Sequence, residues 1–181
     1  MDYTALSKAI SYALRHAPDK YGLDIDKNGW ADLVGLLNRL RMEQRFISLS
    51  EADICKMIEM SEKKRHEIYD GKIRALYGHS VKEKIMKEPT HPPDVLYHGT
   101  AHKFIKSIFA TGLISKGRQY VHLSEDVDTA ITVGKRRDDN PIVLIIDTKQ
   151  AWSDGILFYI GNDNIWLADD IPVKYISLLS R

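Results

Sequence analysis

Apolar side chains recur every three or four residues along the first 60 positions, which is the period of helices with one buried face. Leu6, Ile10 and Leu14 form such a stripe, and their helix should end before Pro18. The same spacing predicts a second helix carrying Trp30, Leu33, Leu37 and Leu40 after the turn Asn28-Gly29, and a third, beginning near Ser50, carrying Ile54, Met57 and Ile58.

The period changes after this point. Residues 65–69 and 72–77 are short β-compatible runs separated by Asp70-Gly71, a strong signal for a hairpin turn. Three helices followed by a hairpin is the order of a winged-helix domain. Residues 81–94 combine a charged run with Pro89, Pro92 and Pro93, which favours a solvated linker. We therefore predict two lobes, residues 1–88 and residues 89–181.

The second lobe is predicted to be rich in strands. Two helical stretches, Lys103–Ala110 and Val127–Val133, interrupt them. The pattern predicts an α+β lobe with a split, mainly antiparallel sheet. The expected strands are Val95–Tyr97, Tyr120–Leu123, Ile142–Ile146, Ile156–Ile160, Ile165–Leu167 and Val173–Leu178.

Composition limits the kinds of site the chain can form. The formal net charge is +1, and the first 90 residues carry 16 Lys and Arg against 14 Asp and Glu, so any RNA site must be a local patch. Cys55 is the only cysteine, which excludes an intramolecular disulfide and a zinc site built from cysteine pairs. No apolar run approaches the ~20 residues that span a bilayer, and we expect a cytoplasmic protein without a membrane partner.

Two motifs resemble known ligand sites without matching them, and a third motif is absent. The segment Gly112–Gln119 has the glycine spacing of a phosphate-binding loop, but Arg118 and Gln119 replace its lysine and hydroxyl residue. His98 and His102 have the spacing of paired zinc ligands but lack the glutamate of the metalloprotease motif, so no metal is expected. No Gly-x-Gly-x-x-Gly follows a strand, which excludes a dinucleotide-binding βαβ unit.

Candidate chemistry in the first lobe is cationic. Arg15 and His16 end the first helix, where the helix dipole favours cations, although basic residues there often serve only as caps. Arg65, Lys72 and Arg74 lie on the predicted wing and precede the turn Gly78-His79-Ser80. Such charges can bind an anion, or they can simply protect an exposed strand edge.

Candidate chemistry in the second lobe lies at strand ends. His98, Gly99 and Thr100 close its first strand, where glycine would let a ligand approach the backbone. Tyr120, His122 and Ser124 alternate on another strand in register with Arg118, and this face is too polar for a core, which favours a cleft. The aromatic residues Phe158, Tyr159 and Trp166 are expected to pack.

Together these segments resemble the RNA 2′-phosphotransferase (KptA) family, which is related to the enzymes that complete fungal tRNA splicing. The resemblance covers most of the chain. It rests on Leu6-Ser7-Lys8, residues 11–16, Asn28-Gly29-Trp30, Lys64-Arg65, Ile73-Arg74-Ala75, Gly78-His79-Ser80, residues 97–100, Val121-His122-Leu123-Ser124 and residues 133–137. His66 departs from an aromatic residue usual in the family, and Tyr77 from a common glutamine.

The resemblance implies a winged-helix RNA-binding lobe followed by an ADP-ribosyltransferase-like NAD-binding lobe. It also implies site residues. The family's catalytic set falls on Arg15, His16, Arg65 and Arg118; NAD-binding positions fall on His98, Gly99, Thr100, His122 and Ser124; and RNA contacts fall on Arg74, Gly78, His79 and Ser80.

The implied reaction has two steps and needs no metal. The RNA 2′-phosphate first displaces nicotinamide from NAD, and the ribose 2″-hydroxyl then attacks phosphorus. The products are RNA with a 2′-hydroxyl, nicotinamide and ADP-ribose 1″,2″-cyclic phosphate. The expected partners are RNA with an internal 2′-phosphate and NAD as co-substrate, and we expect a monomer.

Two other readings predict different behaviour. An ADP-ribosyltransferase would stop after the first step, although the arginine set argues for phosphate transfer. A winged-helix transcription regulator would need a basic recognition helix, whereas residues 50–60 carry Glu51, Asp53 and Glu59 against Lys56.

Overall fold

The structure, a computed structural model, describes residues 1–179 and combines helices with antiparallel sheets, which confirms the α+β class. The chain divides into two units, unit 1 (Met1–Met86) and unit 2 (Lys87–Arg181). Each unit has its own apolar core. Within the described residues, no helix is long and apolar enough to cross a membrane.

Unit 1 contains three helices and a small sheet. The sheet has three strands in the order β1-β3-β2, and both pairings are antiparallel. The elements are α1 (Tyr3–Arg15), β1 (Trp30–Asp32), α2 (Leu33–Leu40), α3 (Glu51–Glu59), β2 (His66–Tyr69) and β3 (Lys72–Ala75).

Helix α1 forms where the sequence predicts it. The Asp2 carboxylate accepts a hydrogen bond from the Ala5 backbone N–H at 2.9 Å and caps the first turn. The predicted stripe is buried, with Leu6, Ile10 and Leu14 fully inaccessible to solvent. Burial of this stripe leaves the opposite face of α1 available for polar side chains.

The prediction for Trp30 was wrong. Trp30 lies in β1, paired with Arg74 of β3, and the second helix begins only at Leu33. The Asp32 carboxylate accepts the Gly35 N–H at 2.5 Å and fixes this start. The N-cap Asp32 therefore starts the helix later than the spacing of Trp30 suggested.

The segment predicted as a solvated linker is partly packed. Ile85 is buried, and the Met86 N–H donates to the Lys27 carbonyl oxygen at 2.7 Å. One apolar side chain within the charged run is enough to hold this stretch against unit 1, because its burial removes apolar surface from water.

Unit 2 is built on one antiparallel sheet of six strands in the order β7-β8-β5-β4-β6-β9. Its helices are α4 (Ile105–Thr111), α5 (Val127–Gly134) and α6 (Thr148–Ser153). Its strands are β4 (Val95–Thr100), β5 (Val121–Ser124), β6 (Ile142–Asp147), β7 (Phe158–Asn162), β8 (Ile165–Ala168) and β9 (Ile176–Leu178).

Two elements of unit 2 differ from the sequence prediction. Helix α6 was not predicted because its six residues are too few to show a helical period. The first half of the expected strand Val173–Leu178 is a 3-10 turn, Val173–Tyr175, in which the Tyr175 N–H donates to the Pro172 carbonyl at 3.2 Å. Pro172 has no N–H of its own for a strand ladder, and this favours the turn.

Gly99 of β4 lies against the backbone of α5. A Cβ built at Gly99 would lie 1.8 Å from the Ala130 carbonyl oxygen and 3.1 Å from the Gly134 nitrogen. No side chain fits in this space, so glycine is required for the contact between β4 and α5.

A buried histidine joins α1 to the small sheet of unit 1. His66 of β2 is 5% exposed, and its Nε2 lies 2.9 Å from the Ser11 hydroxyl oxygen of α1. Burial, together with the positive charges of Arg15 and Arg65, lowers the pKa of His66 to about 3. The ring is therefore neutral at physiological pH.

Replacing Gly99 with alanine should destabilise unit 2. The added methyl group meets backbone atoms that cannot rotate away, and overpacking of this kind costs about 1–3 kcal/mol or more. Urea unfolding followed by circular dichroism measures the change. A Gly99→Ala protein as stable as the parent would contradict the close approach of β4 and α5.

The neutral His66 makes the stability of unit 1 depend on pH. Because the folded pKa, about 3, lies below the ordinary 6.5, the unfolded chain binds the extra proton first as the pH falls. The stability that unit 1 gains from a neutral His66 is fully present above pH 6.5. As the pH falls from there toward 3, the free energy of unfolding falls by up to about 1.4 kcal/mol per pH unit. The variant His66→Gln should lose less stability over this range, and identical pH profiles for both proteins would show that His66 titrates normally.

Candidate phosphate and nucleotide sites

The C-terminal end of α1 carries two of the predicted catalytic residues. Arg15 is the last residue of α1, and His16 is its C-cap. The Ser80 N–H donates to the Arg15 carbonyl oxygen at 2.9 Å, and the Ser80 hydroxyl lies 2.8 Å from His16 Nδ1. These two hydrogen bonds hold the turn at residues 78–80 against the helix end and orient the imidazole ring.

Arg15 is held on several sides. Its Nη2 donates to the Arg65 carbonyl oxygen at 3.4 Å, and its guanidinium carbon lies 5.0 Å from the centroid of the Tyr77 ring, within the range of a cation–π interaction. Gly78 has φ of +88°, and a Cβ there would lie 3.5 Å from Arg15 Nη1. Tyr77, the departure from the family's glutamine, is therefore part of the support for Arg15.

Arg15, His16 and Arg65 line one cavity of about 590 Å³ in unit 1. Arg65 Nη1 donates to the Ser61 hydroxyl oxygen at 3.2 Å, which directs the guanidinium along the cavity wall. Among the described residues that line this cavity, no side chain is a carboxylate. Two guanidiniums and an imidazole in such a wall form a site for a multiply charged anion.

The residues predicted to contact RNA lie in different surroundings. Arg74 Nε and Nη2 lie 2.8 Å and 2.7 Å from Glu67 Oε2, and its guanidinium covers the Trp30 ring at 4.4 Å. Arg74 does not line the cavity of unit 1. His79 is buried, whereas Gly78 and Ser80 contact Arg15 and His16. Their roles in RNA binding stay predictions.

Unit 2 has a cavity of its own, of about 450 Å³. It brings together six residues that the sequence placed at a candidate site: His98, Gly99, Thr100, Arg118, Tyr120 and His122. Ser124 does not line this cavity. Its side chain is buried, and its backbone pairs with Ile165 of β8.

A hydrogen bond to a backbone carbonyl group fixes the tautomer of His98, which lines this cavity. His98 Nδ1 lies 2.9 Å from the His122 carbonyl oxygen, which can only accept, so Nδ1 carries the proton and donates. Burial lowers the pKa of His98 and outweighs the opposing effect of this hydrogen bond. A neutral imidazole with Nε2 as an acceptor can bind a hydroxyl group.

The same cavity combines cations with an apolar wall. Arg118 is joined there by three cations without predicted roles: Lys116, Arg136 and Arg137. Phe104 and Ile114, both partly solvent-exposed, supply apolar surface. This composition suits a ligand with both anionic groups and flat rings. The position of Arg136 and Arg137 just after α5, which packs on Gly99, could have indicated them.

Several polar residues of unit 1 line its cavity although no role was predicted for them. Lys8, Ser11 and Ser61 line its cavity. Lys8, Ser11 and Arg15 recur at helical spacing, which places them on one face of α1. This spacing could have indicated a shared polar face in the sequence, but the apolar stripe of the same helix was the stronger pattern.

Comparison with known proteins identifies the family. The family model for "RNA 2′-phosphotransferase, Tpt1 / KptA family" matches residues 2–170. A "Probable RNA 2′-phosphotransferase" of Acetivibrio thermocellus is 58% identical over 176 residues, which cover 97% of each chain. Proteins with the same name from Bacillus thuringiensis and Agrobacterium fabrum are 52% and 43% identical to this chain. Both alignments cover 97% of this chain, and they cover 95% and 94% of the respective relatives. The resemblance found in the sequence is confirmed, and the chain belongs to the RNA 2′-phosphotransferase (Tpt1/KptA) family.

Proposed function

We propose that this chain removes an internal 2′-phosphate from RNA, of the kind left at a tRNA splice junction, by transferring it to the ADP-ribose of NAD. The observation that carries the proposal is the cavity of unit 1, which Arg15, His16 and Arg65 line together and whose described lining residues include no carboxylate. Such a site is specific for a compact group with more than one negative charge, as a phosphate monoester has.

The proposal includes the architecture of both units. Unit 1 is a winged-helix RNA-binding domain; the helix order and the strand order β1-β3-β2 support this assignment. Unit 2 is an ADP-ribosyltransferase-like NAD-binding domain, supported by its antiparallel sheet and the cavity beside β4 and β5.

NAD is the co-substrate that suits the cavity of unit 2. A volume of about 450 Å³ lies in the ~300–1,000 Å³ range of small-molecule sites. We propose that Lys116, Arg136 and Arg137 bind the pyrophosphate, while Thr100 and His98 orient the nicotinamide ribose. Phe104 offers a ring face for stacking.

In the first step, an oxygen of the RNA 2′-phosphate bonds to C1″ of the nicotinamide ribose, and the C1″–nitrogen bond breaks to release neutral nicotinamide. Arg15 and Arg65 lower the nucleophilicity of the phosphate they bind, so positioning has to compensate. Holding the reacting groups in line is worth up to ~7–11 kcal/mol in favourable cases.

In the second step, the ribose 2″-oxygen bonds to phosphorus and loses its proton, while the RNA 2′-oxygen leaves and gains one. Guanidiniums stabilise the charge that develops on the phosphoryl oxygens without a metal ion. Because Ser80 binds His16 at Nδ1, we propose that Nε2 faces the phosphate, where His16 can bind an oxygen or carry the proton.

The direct test incubates the full-length protein with NAD and an RNA oligonucleotide carrying one internal 2′-phosphate. We expect nicotinamide release and loss of the 2′-phosphate in equal amounts. Arg65→Ala or Arg118→Ala should keep the fold, reduce turnover by about 10²–10³-fold, and accumulate ADP-ribosylated RNA because the second step is hit hardest.

The control for this experiment is Arg45→Ala. Arg45 is exposed, binds Glu43 at 2.6 Å and lies outside both cavities, so its loss should not change turnover. Turnover unaffected by Arg65→Ala and Arg118→Ala would refute the arginine assignment. A stable ADP-ribosylated product from the parent protein would instead identify an ADP-ribosyltransferase.

Removing the Ser80 hydroxyl tests the orientation of His16. We expect Ser80→Ala to lower kcat by between about ten- and a hundredfold, because small misplacements of a catalytic group have effects of that size, and to alter the acidic limb of the pH–rate profile. Ser80→Thr retains the hydroxyl and should restore most of the rate. Equal losses in both variants with an unchanged pH profile would show that Ser80 acts only in folding.

A further inference from the structure

The cavity of unit 1 is much larger than a phosphate group requires. Its volume of about 590 Å³ falls in the ~300–1,000 Å³ range that holds drug-sized ligands. It follows α1 from His16 back to Tyr3, and at 1.5 Å per residue this stretch spans roughly 20 Å. The cation cluster of Arg15, His16 and Arg65 accounts for one end, so most of the groove has room for another part of the substrate.

The α1 wall of this groove is polar and cationic. Thr4, Ser7, Lys8 and Ser11 line it, at the spacing of neighbours on one helix face. Lys8 is exposed to solvent, and the absence of carboxylates among the described lining residues leaves its charge uncompensated within the groove. This wall matches the hydrogen-bond acceptors and negative charge of a sugar–phosphate backbone.

The part of the lining that α3 and its C-cap contribute is apolar. Met57 and Met60, at the C-terminal end of α3, line the groove, and Met60 remains 64% exposed. A groove with one cationic, hydroxyl-rich side and one apolar side suits a single strand, whose phosphates and bases point in different directions. This is also the local patch that a chain with a net charge of +1 needs in order to bind RNA.

We propose that Lys8, assisted by Ser7, binds a backbone phosphate of a nucleotide flanking the 2′-phosphorylated one. Seven residues separate Lys8 from Arg15, about 10 Å along the helix axis, so the two side chains bind different phosphates of one strand. The groove therefore selects single-stranded RNA that continues beyond the modified nucleotide. This inference rests on the proposed function, because it takes the phosphate at Arg15 to be the RNA 2′-phosphate.

The test compares two substrates, a single-stranded hexanucleotide with one internal 2′-phosphate and a 2′-phosphorylated dinucleotide that lacks the phosphates farther along the strand. We expect Lys8→Ala to raise the KM for the hexanucleotide about tenfold and to change the KM for the dinucleotide far less. The slope of log KM against log salt for the hexanucleotide should fall by about 1, the value for one lost phosphate contact.

Two further variants serve as controls. Lys8→Arg keeps the charge and should restore the KM, and Lys27→Ala removes an exposed lysine of unit 1 outside the groove and should have no effect. Equal effects of Lys8→Ala on both substrates, or no effect on either, would overturn the proposal.

Binding of the fluorescently labelled hexanucleotide, measured by anisotropy, separates this proposal from the proposed function. If the parent protein binds it but neither substrate is turned over, the proposed reaction fails, while weaker binding by Lys8→Ala still supports the groove. If Lys8→Ala binds it as tightly as the parent does, the groove is refuted whatever the turnover shows.

Discussion

Positive charge concentrated in a cavity whose described lining residues include no carboxylate is the constraint on which the unit 1 site depends. Arg15 and Arg65 line the same cavity beside His16, and like charges held together repel one another. Neutral groups contact all three residues: the Arg65 carbonyl and the Tyr77 ring contact Arg15, the Ser80 hydroxyl contacts His16, and the Ser61 hydroxyl contacts Arg65. A phosphate bound there, as proposed, would supply negative charge that offsets this repulsion.

The fold meets this constraint through contacts between residues distant in sequence. Ser80 reaches the end of α1 through two hydrogen bonds, and His66 reaches Ser11 in the middle of the same helix. Because burial keeps His66 neutral, the pair fixes α1 against the sheet without adding another positive charge beside Arg15 and Arg65. The departure at His66 is thus compatible with a cationic site next to it.

Much of the fold could be predicted from local sequence rules. The buried stripe of α1, the capping box Ser50–Asp53 and the hairpin turn at Asp70-Gly71 each follow from short-range physics. Trp30 could not be placed, because its strand exists only through pairing with Arg74, and Ile85 could not be recognised as packed from its charged neighbours. Nonlocal contacts decide such positions.

The candidate site divides in the same way. Arg15-His16, Arg65, Arg118 and the strand end His98-Gly99-Thr100 are visible as sequence patterns. The family resemblance supplied the roles predicted for them. Lys116, Arg136 and Arg137 became candidates only when the fold placed them around one cavity. Ser124 was predicted to line the site but does not. Alternation along β5 puts it in register with His122, whereas its side chain is buried in the sheet and does not line the cavity.

In the proposed reaction, the phosphate itself moves from RNA to the ribose of NAD. Following a radioactive label placed in the RNA 2′-phosphate tests it most directly. We expect all of the label to appear in ADP-ribose 1″,2″-cyclic phosphate, in step with nicotinamide release. Label that remains on the RNA, or that is released as inorganic phosphate without any need for NAD, would contradict it.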